Sequence, residues 1–188
     1  MKTKLITFLL FGVSLPAAQF LVTFDTTAIN SQAGTIDIQF NPGAFPAVYE
    51  SGTATITAFN LGAGSLGSLS SGPDGGASGT LPGPLAIANS DFLNGIVYNA
   101  SFGNSASFLV NFSGNAYTAS GQTILTTLSV SLIGATTISA VADLRGDRLL
   151  DVSFSSPGVT FGEIPEPATF GLITLGLAGC AFLTRRRP

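Results

Sequence analysis

Along the middle of the chain, apolar side chains recur at every second position, the period of a half-buried strand rather than of a helix. Ile36, Ile38 and Phe40 share one face, opposite Thr35, Asp37 and Gln39. Phe108, Val110 and Phe112 form a second set. Ile124, Leu128, Val130 and Leu132 form a third, opposite Thr127, Ser129 and Ser131. Leu150, Val152 and Phe154 alternate with Asp151 and Ser153. Residues 21–26, 53–59, 92–98 and 137–143 read as further strands. These runs are rich in Thr, Val, Ile and Phe, and Gly, Asn, Ser and Pro divide them. Eight or so such strands predict an all-β fold, an antiparallel β-sandwich or jelly-roll-like body over residues 19–161.

One stretch breaks the alternation. Residues 62–84 hold eight glycines and three prolines with several serines. Strand-like sequence continues on both sides, so this stretch reads as a long loop inside one domain rather than a boundary.

Charge narrows the function classes. Between residues 19 and 164 the cations are Arg145 and Arg148, against nine carboxylates, which leaves this part of the chain seven units negative. An acidic body without a basic stripe lacks the electrostatic footprint of a nucleic-acid binder. There is no His and no Trp, and the single cysteine, Cys180, lies in the last apolar run. No disulfide within the chain is therefore possible, and neither the common zinc sites nor Ser-His and Cys-His nucleophile pairs can be assembled. No cofactor is expected.

The mean hydropathy of +0.49 is raised by the two ends. Lys2 and Lys4 precede a nine-residue apolar run at 5–13, and small residues follow up to Ala17 and Ala18. This order is that of a secretory signal, with cleavage expected after Ala17 or Ala18, so residues 1–18 are read as a signal peptide. At the other end, Pro165, Glu166 and Pro167 precede sixteen apolar residues, 168–183, and then Thr184 and Arg185, Arg186 and Arg187. As a helix that run spans about 24 Å, short of a bilayer core of roughly 30 Å, a gap that snorkelling arginines and local thinning close. We therefore expect a transmembrane helix at 168–184, with the arginine cluster holding its end in the cytoplasm. The two prolines disfavour helix and leave an extended segment just outside the membrane.

The three consecutive parts of residues 162–188 resemble the PEP-CTERM sorting signal: the Pro165-Glu166-Pro167 tripeptide, the Gly/Leu-rich apolar helix and the Arg185 to Arg187 cluster. The resemblance implies recognition by an exosortase, a membrane-embedded cysteine protease-transpeptidase of Gram-negative bacteria that also make exopolysaccharide. It further implies cleavage near the tripeptide, transient anchoring in the inner membrane, then release or attachment at the cell surface, in the envelope or outside the cell. The body is also similar to a β-rich domain that recurs in PEP-CTERM proteins, through Gly34, Asp37, Gln39, Phe40, Asn41, Pro42 and Gly43, and through Phe102, Gly103, Asn104, Ser105, Ser107 and Phe108. That resemblance implies an architecture and a destination but no site residues.

Within the body the chemical signals are weak. Thr53, Thr55 and Thr57 share a strand face, as in the threonine rows of some ice-binding proteins, but one row is too few. Asp143, Asp147 and Asp151 are four apart, unlike the alternating ligands of a calcium loop, and Arg145 and Arg148 lie between them. A polar hairpin turn at Arg145, Gly146 and Asp147 is the expected reading. Asn99 and Asn111 fit the glycosylation triplet incidentally. Scattered carboxylates without Trp or His make a poor sugar-cleaving cleft, so a cryptic hydrolase ranks below a non-enzymatic protein. The expected role is structural or interactive, in association with exopolysaccharide, biofilm matrix or like subunits. The alternative is a carbohydrate-binding module, with Tyr49, Tyr98, Tyr117 and exposed Phe side chains as the available platforms.

Overall fold

The computed structural model describes residues 19–43, 49–121, 124–154 and 157–164. Twelve strands are described: β1 Gln19–Asp25, β2 Ala33–Pro42, β3 Thr53–Asn60, β4 Ser65–Asp74, β5 Gly76–Gly79, β6 Leu85–Ala88, β7 Gly95–Ser101, β8 Ser105–Ser113, β9 Thr126–Ile133, β10 Thr137–Leu144, β11 Leu150–Phe154 and β12 Val159–Ile164. A 3-10 turn at Thr27–Ile29 and a one-turn helix, α1, at Asn115–Thr118 complete the set. All ladders are antiparallel, in two six-stranded sheets ordered β12-β1-β8-β3-β6-β5 and β11-β10-β9-β2-β7-β4.

The pairing is nested. β4 turns into β5 at Gly75, β3 pairs with β6, β2 with β7, and β1 with β8. A long hairpin folded over on itself in this way is the winding of a jelly roll. The β9-β10-β11 meander then extends the second sheet beyond β2, and β12 returns to cover the outer edge of β1. At the β4-β5 corner Gly75 has φ +56°, and a Cβ there would lie 2.3 Å from the carbonyl oxygen of Leu93. Only glycine satisfies both demands.

Alternation places the expected side chains inside. Ile36, Ile38, Phe40, Phe108, Val110, Phe112, Leu128, Val130 and Leu132 are buried between the sheets. Phe112 is the centre of an aromatic cluster, its ring 5.9 Å from Phe20, 6.0 Å from Phe40 and 5.9 Å from Tyr117. With no disulfide possible, these packed rings and the ladders hold the body together.

Several expectations require correction. Residues 62–84 are not one long loop, since β4 and β5 run through them. The alternation is lost because the register with β7 shifts three times, between Leu66 and Leu69, Leu69 and Ser71, and Ser71 and Asp74. Each shift resets which face a side chain occupies. The tract tolerates its glycines and Pro73 because β4 is an edge strand. Residues 92–94 precede the strand expected at 92–98, which starts at Gly95, and Ile124 precedes β9. The hairpin at Arg145, Gly146 and Asp147 forms as expected, with the Arg145 N–H donating to the Leu149 carbonyl at 3.0 Å.

Candidate functional site

The sorting residues Pro165, Glu166 and Pro167, the orientation residues Arg185, Arg186 and Arg187, and the signal-cleavage residues Ala17 and Ala18 all lie outside the described residues. The expected membrane helix does too. Among the described residues, no helix is long and apolar enough to cross a membrane. The structure does fix the two points from which these segments leave the body. Gln19, the first residue of β1, is the ladder partner of Ile164, the last of β12. The described chain therefore begins and ends side by side, on neighbouring strands at one end of the sandwich.

The same end carries the connections β2–β3, β4–β5, β6–β7, β8–β9 and β10–β11, because Pro42, Thr126, Leu144 and Leu150 form one registered row there. Two buried asparagines tie these connections together. Asn89, 1% exposed, accepts from the Gly52 N–H at 2.7 Å and donates through Nδ2 to the Glu50 carbonyl and Thr126 Oγ1, both at 2.8 Å. Asn94, fully buried, accepts from the Gly76 N–H at 2.8 Å and the Asp91 N–H at 3.0 Å, and donates to the Asp91 carbonyl at 2.7 Å. Its own N–H donates to Asn41 Oδ1 at 2.7 Å. Sequence reading missed both residues. Their signal, an asparagine flanking a short apolar run, is indistinguishable from an ordinary turn residue.

The 145–149 hairpin is pinned to α1. The Asp147 N–H donates to the Ala119 carbonyl at 3.2 Å and the Arg148 N–H to the Tyr117 carbonyl at 2.7 Å. These bonds hold Asp147 and Arg148 in the left-handed region, at φ 51° and 60°. Arg145 pairs with Asp151, and Asp143 accepts from Thr127 Oγ1 at 2.6 Å, so two of the three aspartates are engaged locally. No group of three His, Cys, Asp or Glu positioned to hold a metal occurs among the described residues.

The body's other candidates separate in space. Tyr98 and Tyr117, counted among possible sugar platforms, are 4% and 2% exposed and belong to the core. Both are engaged internally: the Tyr117 ring lies at 89° to that of Phe20, and the Tyr98 hydroxyl accepts from the Leu81 N–H at 3.1 Å. Phe92 is exposed in the β6–β7 connection, whereas Phe154 lies on edge strand β11, with β10, β9 and β2 between it and β7. They do not form a common platform. Thr53, Thr55 and Thr57 lie on the outer face of β3, where the facing β6 residues are Ala88 and Ala86, so the threonine row is not repeated on that side.

An open hollow of about 240 Å³ is lined by Tyr49, Ser51, Thr53, Ala88, Asn89 and Ser90. It is smaller than the roughly 300–1,000 Å³ of small-molecule sites. Between the sheets, Val22, Phe108, Leu128, Val130, Ala140, Ala142 and Phe161 line a narrow apolar gap without room for a water molecule.

The outer face of the second sheet is largely polar along β2 and β9. Thr127, Ser129 and Ser131 of β9 face Asn41, Gln39 and Asp37 of β2. Side-chain bonds run along and across it, from Gln39 to Asp37 at 2.9 Å, from Asn41 to Gln39 at 2.9 Å, and between Ser131 and Ser139 at 2.8 Å.

In comparison with known proteins, residues 163–187 match the family model of the PEP-CTERM protein-sorting motif. No curated protein and no solved structure matches the chain. The matched segment begins at Glu163, inside β12, so the motif follows the folded body without a spacer. Residues 163–187 thus match the PEP-CTERM protein-sorting motif, the kind of signal by which an exosortase sorts an exported protein.

Proposed function

We propose that this protein is a non-enzymatic structural or interaction component of the envelope or extracellular matrix, a β-sandwich body delivered by its sorting tail. The PEP-CTERM match carries the reading of its destination. In this reading the signal is cut after Ala17 or Ala18, and residues 168–184 hold the chain transiently in the inner membrane. Arg185, Arg186 and Arg187 fix the orientation, and exosortase acts near Pro165, Glu166 and Pro167.

The hydroxyl- and amide-lined outer face of β2 and β9 supports the role of the body. Ser129, Ser131, Thr35, Gln39 and Asn41 offer donors and acceptors across two adjacent strands, β9 and β2. Such a face suits many weak hydrogen bonds to exopolysaccharide or to like subunits. The separation of Phe92 from Phe154 and the burial of Tyr98 and Tyr117 weigh against a carbohydrate-binding module built on stacked aromatics.

Replacing Pro165, Glu166 and Pro167 together by alanine in an exosortase-positive host is expected to leave full-length protein in the inner membrane. Unchanged release of a shortened product would overturn the sorting assignment. For the body, Ser129→Lys with Ser131→Lys is expected to abolish retention on host exopolysaccharide while leaving export intact. Equal retention of the double variant would count against this face.

A further inference from the structure

We infer that the end of the sandwich bearing Gln19 and Ile164 faces the bilayer while the chain is anchored, with the loop tips Phe92, Leu93 and Leu149 seated among the lipid headgroups. This rests on the anchoring reading above and adds an orientation and a contact surface to it.

Three independent observations converge. Ile164, from which the chain continues to the apolar run at 168–183, is the ladder partner of Gln19, so the anchor is attached at this end of the sandwich. No spacer separates β12 from the motif, which keeps the body within a few residues of the membrane. Three of the exposed large apolar side chains sit on connections at this same end: Phe92 at 72%, Leu149 at 59% and Leu93 at 45% exposure.

The tips are held rather than trailing. Asn94 fixes the 89–94 connection through Asp91 and Gly76, and α1 fixes the 145–149 hairpin through Asp147 and Arg148. Exposed apolar groups on rigid tips lose little conformational freedom on entering an interface.

Charge decides the kind of surface. Arg145 and Arg148, the cations of the described residues, both belong to this hairpin, and Arg145 is paired with Asp151. Asp91, Asp147 and Glu163 are exposed at the same end. The net sign does not favour an anionic bilayer, so the contact is apolar and suits zwitterionic headgroups.

The chain has no tryptophan, so a single introduced indole reports its own depth. The chain from Gln19 to Pro188, signal removed, carrying Phe92→Trp, Leu149→Trp or Ala63→Trp is reconstituted into phosphatidylcholine-phosphatidylethanolamine vesicles containing acyl-brominated lipid. Ala63 is exposed in the β3–β4 connection at the opposite end and serves as the reference. Quenching by about half is expected at 92 and 149, the depth of an interfacial side chain, with almost none at 63. Chain that floats with the vesicles yet shows no quenching at either tip overturns the inference while leaving anchoring intact. Equal quenching at 63 overturns it as well. Chain that fails to float removes the anchoring reading and this one with it.

Discussion

Asn89 illustrates how one side chain organises a whole end of the body. Replacing it with alanine strands the Gly52 N–H, the Glu50 carbonyl and the Thr126 hydroxyl. The adjacent hollow admits water that offsets part of this loss, so Asn89→Ala is expected to cost about 2 kcal/mol, read from the urea midpoint. Thr53→Ala, a change on the outer face of β3, is expected to stay within about 0.5 kcal/mol in the same assay. Asp25 gives a pH signature. The Thr27 hydroxyl and then the Thr27 N–H donate to Asp25 Oδ1, holding its carboxyl below the usual carboxylate range. A lowered folded-state value means the stabilisation is complete above the ordinary value and disappears as pH falls through the folded one. Asp25→Asn is therefore expected to lower neutral stability slightly, leave acid stability nearly unchanged and so flatten the acid limb of the stability curve. An acid limb identical in the two proteins would refute this.

At the scale of elements, the glycines separate by what surrounds them. A Cβ on Gly34 in β2 would fall 2.0 Å from the Ile133 carbonyl oxygen and 2.7 Å from the Phe102 ring. Gly34→Ala must therefore part β2 from β9, at an expected cost of about 3 kcal/mol in thermal or chemical unfolding. Gly162 in β12 has nothing within 4 Å of the same position, and Gly162→Ala is expected to be neutral. The same contrast explains which strands the sequence disclosed. β2, β8 and β9 bury every second residue, so their chemistry prints the pleat onto the chain. β4 is exposed on nearly all positions and shifts register with β7, and β12 fully buries only Val159, so neither leaves a period to read. β6, with Leu85 and Ile87 inward, alternates correctly but over too few residues to stand out. The sorting tail was legible for a different reason: its recognition reads composition and order along the chain, which need no fold to be visible. Asn89 and Asn94 were not, because burial of an amide depends on partners that fold in from Gly52 and Gly76.

For the whole molecule, the nested winding brings distant segments into register and makes that register testable. Gln19→Cys with Ile164→Cys places two thiols on directly facing strand residues, within the reach of a disulfide. Mild oxidation is expected to link them in the folded body, seen by mass spectrometry of non-reduced peptides. Failure to link would show that β12 does not close on β1 as described. The native Cys180 lies beyond the processing tripeptide and does not compete once the tail is removed. The β1-β12 ladder also sets a schedule. Export delivers the N-terminal strand first, yet β1 must wait for β8, some eighty residues on, and then for β12, the last strand before the tail. Long-range pairings of this kind close late. The outer edge of β1 therefore stays unpaired until Val159–Ile164 are available, so the body closes only when nearly all of the described chain is present. A chain cut short upstream of Val159 leaves that edge of β1 open to strangers.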